Sequence, residues 1–153
     1  PKNNMTQTPM STNRLPKAHR LCSKTAIDRL FAARCAPQGG GSALAYPLRA
    51  VWAPAMPPRD AAPTARPPVK FLISIPKKRL RHAVDRVLMR RRVREAYRLA
   101  RPMKIADTAE TPRYDVAFIY VADKPEDYQR VNAAVRRILK KIYPPAPCLS
   151  APQ

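Results

Sequence analysis

The residues best placed to do chemistry are arginines. Between Ala83 and Ala100 the chain reads AVDRVLMRRRVREAYRLA, and Arg86, Arg90, Arg91, Arg94 and Arg98 recur at spacings that gather them on one side of a helix. Lys77, Lys78, Arg79 and Arg81 stand just before them. A guanidinium grips phosphate oxygens in pairs and stacks on flat rings, where a lysine ammonium supplies only a point charge. From Lys70 to Lys104 there are 13 Lys+Arg against 2 Asp+Glu, a local balance of +11 out of a total of +20. Charge stacked on one helix face and its approach loop is a footprint for phosphates rather than an evenly spread solubility device. The chemistry implied is the binding of a polyanion, not the breaking of a bond. Neither a nucleophile–base pair, nor paired carboxylates, nor a metal-ligand cluster stands out. His19 and His82 fall in basic loops and read as surface residues, while Asp115 and Asp123 bracket a strand and read as turn caps.

Composition agrees. The 153 residues carry 30 Lys+Arg and 10 Asp+Glu, with a pI near 11.0. Apolar residues reach 45%, enough for the modest core of one domain. No apolar run approaches the roughly 18 residues of a membrane span, and the opening residues are not expected to form a signal peptide. Cys22, Cys35 and Cys148 lack metal-ligand spacing and read as the reduced thiols of a cytoplasmic protein. A secreted disulfide scaffold, a zinc ribbon and a membrane protein are poor fits.

The elements that must position the arginines lie between proline clusters. The prolines crowd the stretches from Pro47 to Pro68 and from Pro144 to Pro152, and all three glycines stand together at Gly39–Gly41. Proline can neither continue a helix nor donate to a sheet ladder, so these are breaks. Residues 1–16 and 144–153 are expected to be flexible tails, and 53–68 a proline-rich loop inserted in a domain spanning 17–143. The apolar set Ala26, Ile27, Leu30 and Phe31 predicts a helix over Ser23–Arg34. Leu44–Trp52 alternates loosely and predicts one strand, with Tyr46, Leu48, Ala50 and Trp52 on one side. Val69–Ile75 predicts a second strand, 83–100 a helix resting on Met89, Val93, Ala96 and Ala100, and Tyr114–Val121 a buried central strand. Pro125–Ile142 closes the fold as a basic amphipathic helix. The run is helix, two or three strands, helix, strand, helix, so the class is α+β, a two-layer α/β sandwich with the expected order α-β-β-β-α-β-α.

These segments resemble the bacterial ribonuclease P protein component. In that family a strand ending Ser-Val-Ser-Lys leads into a helix reading approximately A-V-x-R-N-R-I-K-R-x-I-R-E-A-[FY]-R. Here Ser74-Ile75-Pro76-Lys77-Lys78 stands at the strand end, and Ala83, Val84, Arg86, Arg90, Arg91, Val93, Arg94, Glu95, Ala96, Tyr97 and Arg98 match the helix. Arg20, Leu21, Ser23, Ile27, Leu30 and Phe31 are similar to the family's first helix. The resemblance covers roughly residues 19–142. Where the family reads Arg-Asn-Arg this chain has Arg86-Val87-Leu88. The family's asparagine is implicated in organising RNA and metal near the cleavage site, and a valine cannot contact a phosphate or a metal-bound water.

The resemblance implies a ribosomal protein S5 domain 2-like fold with a central arginine-rich helix. It implies the protein subunit of an endoribonuclease that removes the 5′ leader of precursor tRNA, with catalysis and Mg2+ belonging to the partner RNA. The expected partners are ribonuclease P RNA and precursor tRNA, with the protein monomeric inside the ribonucleoprotein. Lys77, Lys78, Arg86, Arg90, Arg91, Arg94 and Arg98 are the expected RNA contacts. Ile27, Phe31, Tyr46 and Leu48 are expected to line a leader cleft between the first helix and the sheet, although Phe31, Tyr46 and Trp52 fit ordinary core packing equally well. A ribosomal or other structural RNA-binding protein is the alternative. A DNA-binding reading lacks a helix-turn-helix partner, because strands flank the arginine helix on both sides.

Overall fold

The computed structural model describes residues 15, 17–32, 39–56, 70–101 and 113–144. Both tails fall almost entirely outside the described residues, as do 57–68 of the proline-rich loop, Cys35 and Cys148. After a short 3-10 turn at Lys17–His19 the elements run α1 (Lys24–Ala32), β1 (Gly41–Ala45), β2 (Leu48–Pro54), β3 (Phe71–Ser74), α2 (Ala83–Ala100), β4 (Tyr114–Tyr120) and α3 (Tyr128–Ile142). The four strands form one mixed sheet in the order β1-β2-β4-β3, antiparallel except for the parallel β3–β4 pair. Parallel neighbours need a crossover, and α2 supplies it, which lays the arginine helix against the sheet. β4 sits between β2 and β3, as its nearly continuous apolar run predicts.

Leu44–Trp52 is not one strand. It is a hairpin whose arms pair from Ala45↔Leu48 to Gly41↔Trp52, turning at Tyr46 and Pro47. Pro47 has no N–H to give to a ladder, so the chain reverses there instead of running through. At the hairpin's open end a Cβ built on Gly41 would lie 2.6 Å from the Trp52 indole, so only glycine leaves room for the ring.

Strand alternation then sorts the side chains between two cores. Leu48 and Ala50 of β2, Phe71 of β3, and Val116, Phe118 and Tyr120 of β4 face α2 and α3, forming the larger cluster with Met89, Val93, Ala96, Val131, Val135 and Ile138. Phe71 stacks on Tyr97 with ring centres 4.4 Å apart, and Phe118 meets Tyr97 edge-on at 5.8 Å. The opposite face carries a smaller cluster of Val51, Ala53 and Ala117 under Leu21 and Leu30, with Ile27 against it. The sheet and the α2/α3 pair are therefore the principal layers, and α1 is a partial cover on the reverse. Asp115 is not a turn cap. It is the second residue of β4, buried, and desolvation holds its carboxyl above the usual range against the opposing pull of Lys70 and Arg29.

Candidate RNA interface

The helix that carries the arginines is positioned by what lies beneath it. The run 83–100 has no Gly or Pro, starts after an extended His82, and buries Met89, Val93, Ala96 and Tyr97. With that stripe pinned to the sheet, the remaining residues must face outward. The arginines then divide into two groups. Arg86 donates through Nη1 to the carbonyls of Leu80 (2.9 Å) and Arg81 (2.7 Å), tying the preceding turn to the first turn of α2. Arg98 forks onto Glu95, with Nε 2.9 Å from Oε2 and Nη2 on Oε1. That contact holds the Glu95 carboxyl below its ordinary range. Arg92, outside the expected set, donates to the Glu126 carbonyl at the start of α3.

Arg90, Arg91 and Arg94 are exposed, and none is hydrogen-bonded or ion-paired to another described residue. Lys77 and Lys78 are also exposed, in the turn that Arg86 secures. Of the seven expected contacts, five thus present unspent charge and two are committed to holding the surface in shape. Arg79, in the same turn, is bound to Asp123 at 2.9 Å. Val84, Val87 and Leu88 are exposed apolar residues in the first turns of α2, with Val87 at 44%. Val87 stands among arginines at solvent, where the family pattern has its asparagine.

The expected leader cleft does not assemble from its four residues. Ile27 packs beneath α1 and Phe31 is exposed at that helix's end, both on the reverse face of the sheet. Leu48 is fully buried on the opposite face, under α3, because alternation along β2 sends it there with Ala50. Tyr46 leaves the ladder at the turn and donates its hydroxyl to Glu126 Oε1 at 2.9 Å. What lies beside α1 instead is a cross-strand row that the register fixes: Leu44 opposite Arg49, Arg49 opposite Ile119, and Ile119 opposite Ser74. The next row, Val51 and Ala117, is closed by α1, whereas Leu44 is 71% exposed and Arg49, Ile119 and Ser74 are half-buried. The row is an open strip of sheet with one arginine in it. Alternation predicts which residues share a face, and only the tertiary placement of α1 says which face is left open.

Among the described residues, no group of three or more His, Cys, Asp and Glu comes together as a metal site, and no helix is long and apolar enough to cross a membrane. A mixed sheet backed by an outward arginine helix, with an open strip on its reverse, defines a basic α+β protein suited to meeting a polyanion. The sequence model of the family described as Ribonuclease P matches residues 15–143. The chain is 34% identical over 130 residues to the ribonuclease P protein component of Porphyromonas gingivalis, covering 84% of this chain and 85% of that one. It is also 34% identical over 138 residues to that of Chlorobaculum tepidum, covering 86% and 84%. In fold it is similar to the RNase P protein of Staphylococcus aureus, with a TM-score of 0.57 at 16% identity over 83% of this chain and 97% of that one. The chain belongs to the ribonuclease P protein family.

Proposed function

We propose that the chain is the protein subunit of a ribonuclease P. In this reading it binds a catalytic RNA through α2 and the Lys77–Lys78 turn, and supports removal of the 5′ leader from precursor tRNA. The observation that carries the reading is the trio Arg90, Arg91 and Arg94, three exposed guanidiniums without hydrogen-bond or ion-pair partners among the described residues, on a helix otherwise locked to the core. Their role is to offset the repulsion between two phosphate backbones brought together, a purely electrostatic service. The leader is assigned to the strip Leu44–Arg49–Ile119–Ser74 beside α1, where Arg49 meets phosphate and the exposed Leu44 and half-buried Ile119 meet unpaired bases. Ile27 and Phe31 remain its flank on α1, and Tyr46 and Leu48 drop out of it.

Mg2+ held by the partner RNA would supply the Lewis acidity for the hydrolysis, and no residue of this chain is assigned to hold it. In this reading the chain's own part is binding and orientation, carried by α2 and the Lys77–Lys78 turn. The test is cleavage of a precursor tRNA by a bacterial ribonuclease P RNA at low Mg2+, with and without the purified chain. Restored cleavage supports the reading. RNA binding without restored cleavage supports the alternative, a structural RNA-binding protein.

A further inference from the structure

Away from both surfaces, the β1–β2 turn and α3 enclose a hollow of about 260 Å³ lined by Ala45, Tyr46, Arg130, Ala133, Ala134 and Arg137. We propose that this hollow takes an unpaired nucleotide of an RNA strand, its base on the Tyr46 ring and its phosphates on Arg130 and Arg137. The proposal rests on the RNA-binding reading above for the class of ligand, and on its own geometry for the site.

The geometry is that of a built recess. Tyr46 stands outside the ladder beside Pro47 and leaves 60% of its surface at solvent. It does not swing freely, because its hydroxyl is held by Glu126 Oε1 at 2.9 Å. The other carboxylate oxygen, Oε2, holds Arg130 Nη1 at 3.0 Å. Glu126 itself is fixed: its side chain is 14% exposed, its N–H donates to the Tyr120 hydroxyl at 3.0 Å, and its carbonyl accepts from Arg92. One anchored carboxylate therefore presets both the aromatic ring and the first guanidinium, so less side-chain freedom is lost when a ligand arrives.

Arg137 follows Arg130 by two turns of α3, about 10 Å along the axis at 1.5 Å per residue, and so points from the same flank. It is exposed and is not hydrogen-bonded or ion-paired to another described residue, and Lys141 extends the row by one more turn. Between the two arginines the lining is alanine, at Ala133, Ala134 and Ala45, so the space a larger side chain would fill is open. An aromatic face, an empty apolar floor, the exposed Arg137 and an Arg130 that gives Glu126 only its Nη1 match a ligand with a flat ring and phosphates on either side. That is a nucleotide within a strand. The recess lies across α3 from the arginine helix and on the opposite face of the sheet from the strip beside α1, so it is a third station.

The test uses the full chain and two fluorescent oligomers of equal charge, hexauridylate and its abasic counterpart, with a 4-thiouridine hexamer for photocrosslinking. The wild type should favour the base-bearing strand by about fivefold or more, since one base–aromatic stack is worth roughly that, and should crosslink in the segment containing Tyr46. Tyr46→Leu should remove the preference and the crosslink, while Tyr46→Phe keeps most of both. Arg130→Ala with Arg137→Ala should weaken both oligomers alike. Thermal melts confirm that these surface variants stay folded. An unchanged preference in Tyr46→Leu, or crosslinks confined to other segments, overturns the station and leaves the α2 interface standing. Failure of the wild type to bind either oligomer or ribonuclease P RNA overturns both.

Discussion

Replacing Arg90, Arg91 and Arg94 together with alanine tests whether α2 meets a phosphate backbone, because the effect can be worked from the structure before it is measured. All three side chains are exposed and make no hydrogen bond or ion pair with another described residue, so their loss breaks none among the described residues. Alanine is also the better helix former, and the folded state should hold within about 0.5 kcal/mol. Each phosphate contact contributes about 0.7–0.9 to the slope of log affinity against log salt. Three contacts then flatten the slope by about 2–2.7. Between 200 mM and 50 mM salt, a fourfold change, the affinity deficit of the variant should widen by roughly 20- to 40-fold. The assay is equilibrium binding of the full chain to a bacterial ribonuclease P RNA across a salt series. Arg98→Ala is the internal control: its guanidinium is shared with Glu95, so its slope change should fall well below the roughly 0.7–0.9 of one full phosphate contact. A triple variant that weakens binding equally at every salt concentration, or leaves it alone, refutes the assignment of this face to phosphates.

The other expectations follow from burial and protonation. Met89→Ala, at a fully buried site beneath the arginine face, should cost about 2–5 kcal/mol in denaturant unfolding, whereas Leu88→Ala one residue away is partly exposed and should cost under about 1 kcal/mol. Val87→Asn should leave the melting temperature unchanged and lower the Mg2+ concentration needed for processing, and an unaltered Mg2+ profile shows that this chain does without the family's asparagine. Burial pushes the Tyr120 and Tyr143 phenols up to about 12, so the folded state favours their neutral forms. That stability is fully present below the unfolded value near 10 and is lost as pH rises toward 12. Melting temperature should therefore fall over that interval, less steeply in Tyr120→Phe, and parallel curves would count against the assignment.

How far residues alone reach is visible in where the readings diverge from the structure. The arginine helix spans 83–100 in both, because an uninterrupted run with a single apolar stripe leaves one way to lie on a sheet. The loose alternation of Leu44–Trp52 reads as one strand and misses the hairpin, although Pro47 within it, unable to donate to a ladder, is the local sign of the turn. The leader residues were not legible in the same sense. Alternation correctly puts Leu48 with Ala50, yet whether that face lies under α1 or under α3 depends on the crossover, the strand order and the covering helices, all of them long-range facts. The same holds for charge. A helical wheel treats Arg86, Arg94 and Arg98 as equals, but Arg86 spends its guanidinium on the Leu80 and Arg81 carbonyls, and Arg98 on Glu95. The Glu95–Arg98 spacing of three residues was the one local hint. The working surface is therefore smaller than the basic arc, and it is sharper, because the committed arginines fix the turn and helix from which Lys77, Lys78, Arg90, Arg91 and Arg94 project.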